Sequence, residues 1–388
     1  MSFTGLVIVC LVAVLAPLIA SVIPRVRIPG IVLEIVAGIA IGPAGFGWVT
    51  MDEPIRVLSI IGLSFLLFLV GLELDITLLR GRRLRATGFA FLVSSVLAYA
   101  VAYGLHMLGM VESALLVAIC LSATAIGIVV PMLTDAGEQS TEFGQLVIAA
   151  ASIADFGTVL LLSLLFSRQP GPIATKLVLM GGFAALTVVL IVAISAAERW
   201  KGLGDHLLKL QDSTAQIRIR AAFLLLIGLV ALAVRQGLEA ILGAFVAGAL
   251  LSVLDHDYTK THPKFHEKLG AIGFGIFVPV FFVASGIQFD ARALLSDSSV
   301  LARVPIFLLA LLVVRGLPAL LYTPLIGMRR SIVAGLLQAT SLPFIVASVT
   351  IGVELHELTR PNASALIAAG LLSVVIFPIV ANVLLHEN

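Results

Sequence analysis

Two charged residues of this 388-residue chain stand in the middle of long apolar runs. Asp155, in "AASIADFGTVLLLSLLF", is at the centre of an apolar segment near 142–166. Arg315 lies two residues from the centre of another near 302–324. A charge at that depth of a hydrocarbon layer costs about 3 kcal/mol or more on insertion scales, and it ordinarily marks an ion pathway or a proton relay. A buried carboxylate accepts either a proton or a dehydrated monovalent cation, so the two compete for it. Arg keeps its proton at any workable pH, so Arg315 supplies fixed positive charge and no exchangeable proton.

Small polar residues fall at the same depth in two further segments. Ser122 and Thr124 occupy "SATA" at the centre of 112–134, and Thr340, Ser341 and Pro343 occupy "ATSLP" at the centre of 329–352. Such residues predict helices interrupted there, with free carbonyls on one side and free N–H groups on the other. Arg315 could offset the carbonyl ends and Asp155 the N-terminal ends. Gln145, Ser152, Asp155 and Ser163 form a polar lane that points Asp155 inward. The expected cation and proton site is therefore Asp155 with Thr124, Ser122 and Ser152, and Arg315, Thr340 and Ser341 compensate charge. The metal expected is a monovalent cation at Asp155, with no cofactor and no catalytic residue. A structural ion pair between Asp155 and Arg315, and interhelical hydrogen bonds from Thr124 and Thr340, are the plainer alternatives. Glu34 and Glu239 are expected as end charges in first turns. His256, His262 and His266 are expected in a surface loop, and the glycine strings "GIAIGPAGFG" and "GFGIF" in close helix packing.

These residues must be positioned by membrane helices. Hydrophobic residues make up 60% of the chain, charged residues 12%, and mean hydropathy is +1.15, which no soluble core reaches. Apolar runs predict thirteen spans: 5–24, 29–47, 57–75, 86–109, 112–134, 142–166, 173–197, 217–235, 237–254, 270–288, 302–324, 329–352 and 361–386. The first is a retained helix and not a leader, because Arg25 and Arg27 follow it. Odd-numbered loops hold 16 Lys and Arg against 7 in even-numbered loops, which places the N-terminus outside and the C-terminus in the cytoplasm. The net charge of +2 comes from scattered loop residues, so nucleic acid is not an expected partner. Cys10 and Cys120 are expected as free, buried thiols.

An internal repeat relates the halves. "GLSFLLFLVGLELD" at 62–75 matches "FVPVFFVASGIQFD" at 277–290, pairing Gly71 with Gly286 and Asp75 with Asp290 at an offset of 215. "LSATAI" at 121–126 matches "LQATSL" at 337–342 at 216, and Ala37-Gly38 matches Ala247-Gly248 at 210. The shift is seven spans, an odd number, so the copies run through the membrane in opposite directions, as in secondary transporters. The polar stretch 199–216 is a candidate connector, and no soluble domain is expected.

With these residues in view, the chain resembles the second branch of the monovalent cation:proton antiporter superfamily, which includes NapA-like sodium/proton antiporters and Kef-type potassium systems. The resemblance is carried by "IPGIVLEIVAGIAIGPAGFG" at 28–47, "LLFLVGLELD" at 66–75, "LSATAIGIVVPMLTDAGEQSTEFGQLVIAAASIAD" at 121–155 and "PVFFVASGIQFD" at 279–290. It implies an all-α integral membrane protein with an NhaA-like fold, two crossed discontinuous helices and a homodimer in the cell membrane. It also implies a core, approximately 57–166 and 270–352, that moves like an elevator against a scaffold, approximately 5–47, 217–254 and 361–386. The family's ion-binding carboxylate matches Asp155, its helix-break Thr matches Thr124, and its basic residue matches Arg315. This sequence departs at Ala154, where the family usually has Asp, Asn or Gln. Ala154 and Arg315 leave one titrating carboxylate, and hence imply electroneutral exchange of sodium or potassium for a proton. A gated potassium efflux system, a sodium-coupled organic anion symporter and a non-transporting membrane sensor are the alternatives.

Overall fold

A computed structural model of the chain describes residues 3–22, 29–73, 81–166, 172–198, 216–255 and 264–386. The stretch 199–215, His256, His262 and Asp75 lie outside them. Every regular element among the described residues is helical, and helix is present in each of the thirteen segments expected to span. Among the described residues, nine helices are long and apolar enough to cross a bilayer by length and composition. Four apolar helices are shorter, around Thr4–Ile19, Gly30–Ile41, Ala174–Leu190 and Ala240–Leu254.

The chain packs as two compact units. The first comprises Met1–Val57, Asp75–Thr158 and Val280–Asn388, and the second Leu58–Leu74 and Val159–Pro279. In the first, α1 (Thr4–Val22) pairs with α2 (Gly30–Ile41). The centre of this unit is α14 (Ser298–Ala319), which packs against α4 (Gly81–Met107), α5 (Ala114–Ser122), α16 (Met328–Ala339) and α18 (Arg360–His386). Helix α6 (Ile126–Asp135) continues α5 after a break, and α17 (Pro343–Glu354) continues α16. Helix α7 (Glu142–Leu165) runs from this unit into the second.

The second unit holds most of α3 (Glu53–Leu72), with α8 (Ile173–Glu198), α9 (Ile217–Arg235), α10 (Ala240–Asp255) and α11 (Lys264–Ile272). "GFGIF" widens into a π-turn over Gly273–Phe277 before α12 (Val278–Gln288). Gly273 there faces the Leu69 and Phe65 side chains, and Phe65 stacks on Phe277 at 5.4 Å between centroids. The extra residue of the π-turn falls at the place where two bulky α3 side chains press in.

Glycine sets the closest helix approaches in each unit. Gly38 of α2 meets Val283 O and the Gly286 Cα of α12, and Gly286 meets Ile35 O in return. In the second unit, Gly71 of α3 meets Phe245 O of α10, and Gly248 meets Phe68 O. A Cβ at any of these four positions would press into a backbone carbonyl, so small residues let the backbones touch.

Several local expectations are corrected. The second span ends at Ile41, not 47, because Gly42 is extended and Pro43 cannot continue the helix; Gly47, at φ +70°, closes the turn that follows. Glu34 is not a first-turn end charge: it lies in the second turn of α2 and is 7% exposed. Cys120 is buried as expected, whereas Cys10 is exposed on α1 beside Val7, Leu11 and Val14.

Two polar ties hold the ends of the α5–α6 pair. Ahead of α5, the Glu112 carboxylate accepts from Thr359 Oγ1 (2.9 Å) and Asn362 Nδ2 (2.9 and 3.0 Å), and Arg303 of α14 donates to Met110 O (2.9 Å) and to Asn362 Oδ1. After α6, Glu138 pairs with Arg330 of α16 at 3.1 Å, and the Arg330 guanidinium lies 5.6 Å from the Phe143 ring centroid. The crossing between these ties is thereby anchored to α14, α16 and α18.

Candidate functional site: a buried carboxylate and a crossed helix break

Helix α5 stops at Ser122 because Ala123 turns extended (φ −72°, ψ 157°), and α6 restarts after Ala125 (φ −102°, ψ 84°). Helix α16 stops at Ala339, with Thr340 extended, and α17 restarts at Pro343. Pro343 has no N–H to leave unsatisfied in a first turn, and it disfavours helical geometry at Leu342. The breaks cross in direct contact: Ala125 N donates to Thr340 O at 2.8 Å. Neither restarting helix has a side-chain cap. Four interrupted ends thus meet in the interior, where their partial charges are weakly screened.

Arg315 of α14 reaches this crossing and is 2% exposed. Its Nε and Nη2 donate to Thr124 Oγ1 at 3.1 and 2.7 Å, and Thr124 Oγ1 donates to Gln338 O at 2.9 Å. The guanidinium also donates to Gln338 O (3.5 Å), Gln338 Oε1 (3.3 Å) and Ser94 Oγ (3.3 Å). Every one of these acceptors is neutral. Gln338 is the penultimate residue of α16, so the cation sits at the carbonyl end of that helix, where the dipole is negative. Tyr322, buried on the 3₁₀ turn after α14, lies in electrostatic range of Arg315, and Ser94 is steadied by donating to Val314 O at 2.9 Å.

Asp155 lies on α7, also 2% exposed, and its charge acts on Arg315. The crossing therefore assembles Thr124, Arg315, Thr340 and the backbone of both breaks, with Asp155 in electrostatic range.

The remaining expected residues are placed differently. Ser122 turns its hydroxyl back to Ala118 O at 2.8 Å, within its own helix, and Thr340 Oγ1 reaches Leu336 O at 3.2 Å. Ser341 is pinned through its backbone, its N–H donating to Ser373 Oγ of α18 at 3.1 Å. Ser152 is buried on α7, one turn before Asp155. Gln145, expected in the same lane, donates to Gln139 O at 2.9 Å near the surface.

Ser94, Gln338, Tyr322 and Ser373 join the site without having been singled out in the sequence. Gln338 had a signal, since it is the one large amide in the matched "LQATSL". A serine such as Ser94 carries none, because serines in membrane helices mostly serve packing.

The chemistry available is that of an oxygen-lined site with one carboxylate. Hard monovalent cations take oxygen ligands, and the carboxylate can bind a proton instead.

Known proteins bear on this arrangement. The family described as "Sodium/hydrogen exchanger, transmembrane" matches residues 10–386. YjbQ of Bacillus subtilis is 31% identical over 393 residues, covering 97% of this chain; the chain spans only 62% of that relative's length. A Na(+)/H(+) antiporter of Enterococcus hirae is 28% identical over 302 residues, covering 75% of this chain and 74% of its own. The structure of the sodium proton antiporter MjNhaP1 from Methanocaldococcus jannaschii superimposes with a TM-score of 0.69 at 16% identity, over 99% of this chain and 98% of that one, which establishes the fold. With its matched sequence running nearly end to end and its all-helical antiporter fold, this chain belongs to the sodium/hydrogen exchanger family, whose members are secondary transporters and not enzymes.

Proposed function

We propose that this chain exchanges a monovalent cation, sodium or potassium, for a proton, one for one, with Asp155 as the carboxylate that carries either. The observation behind this is the burial of Asp155 on α7, in electrostatic range of the fixed cation Arg315 at the crossing of two interrupted helices. The antiporter names of the Enterococcus hirae relative and the structural neighbour support sodium.

Stoichiometry follows from titratable groups. Ala154, beside Asp155, is buried and carries no ionisable atom, and Arg315 keeps its proton. One carboxylate alternating between one proton and one cation moves no net charge. An exchange that moved one charge would gain about 2.3 kcal/mol per 100 mV, whereas this one gains nothing from the membrane potential. Coupling arises because a neutral carboxyl or a cation-paired carboxylate can cross the apolar barrier, while a bare carboxylate is penalised.

The proposed motion is an elevator within a homodimer in the cell membrane, N-terminus outside. The core comprises 57–166 and 270–352 and slides against a scaffold of 5–47, 217–254 and 361–386. The glycine contacts support the inverted repeat behind such a motion. The α2–α12 crossing at Gly38 and Gly286 has a counterpart in the α10–α3 crossing at Gly248 and Gly71, the residues the repeat pairs.

Dequenching of a pH dye in proteoliposomes with an acidic interior, on adding sodium, potassium, lithium or rubidium chloride in turn, tests the proposal. Dissipation by one cation, absent in Asp155→Asn, is the expected result. No response to any of them would sink it and favour a symporter or a sensor.

A further inference from the structure

Hydroxyls on the helices of this protein have a usual destination. Ser95, Ser122, Ser285, Ser331 and Thr350 each donate to the carbonyl four residues back, at 2.7 to 2.9 Å. Thr158 of α7 does not. It is 0% exposed, and its Oγ1 has no hydrogen-bond partner among the described residues. A buried hydroxyl left so forgoes the hydrogen bonds it would make in water, a cost that calls for an ion or another polar group to meet it.

Its position says what that ion is. Thr158 lies three residues after Asp155 on the same helix, so the two share a face with their Cβ atoms roughly 5–6 Å apart. Helical side chains lean toward the N-terminus, which carries the Thr158 hydroxyl over the turn that bears Asp155. Gly157, between them in sequence, is turned instead against the Phe91 ring of α4. On the other side of Asp155, Ser152 is buried at the same three-residue interval. The face thus offers hydroxyl, carboxylate and hydroxyl in succession, all oxygen donors suited to a hard cation stripped of water.

We propose that Thr158 Oγ1 ligates the transported monovalent cation together with the Asp155 carboxylate. This rests on the exchanger proposal. A hydroxyl does not titrate in the working range, so Thr158 binds the cation and not the proton, and biases the competition at Asp155 toward the cation.

The test uses the purified full-length protein in two measurements. Sodium-dependent thermal stabilisation at constant ionic strength reads binding, and exchange in proteoliposomes reads the apparent KM for sodium. Thr158→Val is expected to weaken sodium binding and raise KM about tenfold, the equivalent of one lost polar ligand. Thr158→Ser, which keeps the hydroxyl, is expected to restore both. A Thr158→Val protein that binds sodium as the wild type does, or a defect that Thr158→Ser fails to repair, overturns the assignment and leaves packing as the role. Wild-type vesicles that exchange no cation would sink the exchanger proposal instead, and the binding comparison would still decide Thr158.

Discussion

Thr124 Oγ1 accepts two hydrogen bonds from Arg315, at 3.1 and 2.7 Å, and passes its own proton to Gln338 O at 2.9 Å. One hydroxyl therefore joins the fixed cation, the first helix break and the carbonyl end of the second helix. Thr124→Val, nearly isosteric, removes that junction and leaves guanidinium donors unmet. A loss of about 1–3 kcal/mol of stability is expected, readable as a lower melting temperature in detergent, with Thr124→Ser close to wild type.

Arg315→Lys keeps the charge but not the fork. An ammonium cannot reach Thr124, Gln338 and Ser94 together, so reduced thermal stability and slower exchange are expected from a correctly inserted protein. Wild-type exchange and stability in Arg315→Lys would show that charge alone suffices.

Ala154→Asp places a second carboxylate beside Asp155, and should convert the proposed electroneutral exchange toward charge-moving exchange. The measurement is the response of exchange to an imposed potassium diffusion potential in vesicles. A wild-type protein that already responds would remove the one-for-one stoichiometry.

Gly286→Ala drives a methyl group into Ile35 O, a backbone atom that cannot step aside without moving α2. Overpacking of this kind costs about 1–3 kcal/mol. Gly30→Ala on α2, where nothing lies within 4 Å of an added Cβ, is the control expected to be neutral.

Outside the membrane-spanning segments, Glu112 gives a pH-dependent tie. Burial acts to raise its pKa, but hydrogen bonds from Asn362 and Thr359 outweigh burial and hold the carboxyl below its ordinary 4.5. A depressed carboxylate contributes stability above its unfolded value, and that contribution is lost as pH falls through the folded one. Melting temperatures of wild type and Glu112→Gln should therefore differ at pH 7 and converge once the pH falls through the depressed folded-state value, where the wild-type carboxylate is protonated too.

The membrane class was legible because length and hydropathy leave few choices: an apolar run of about 20 residues has one stable way to satisfy its backbone in lipid. The depths of Asp155 and Arg315 and the interruptions near Ser122–Thr124 and Thr340–Pro343 could be counted from the same runs, since a helix converts residue number into distance. The partners of those residues could not be counted. Ser122 bonds back to Ala118 while Thr124, two residues on, reaches across to Gln338, and the composition of "SATA" does not separate them. The choice is made by where the helix ends, since Ser122 still has a helical carbonyl behind it and Thr124, past the end, faces α14 and α16. Ser94 and Tyr322 were equally hidden, being brought to Arg315 by packing between helices far apart in sequence. That charge would be buried, and at what depth, follows from residue order along each apolar run. Which oxygens meet that charge depends on the register and rotation of neighbouring helices, which no single helix encodes.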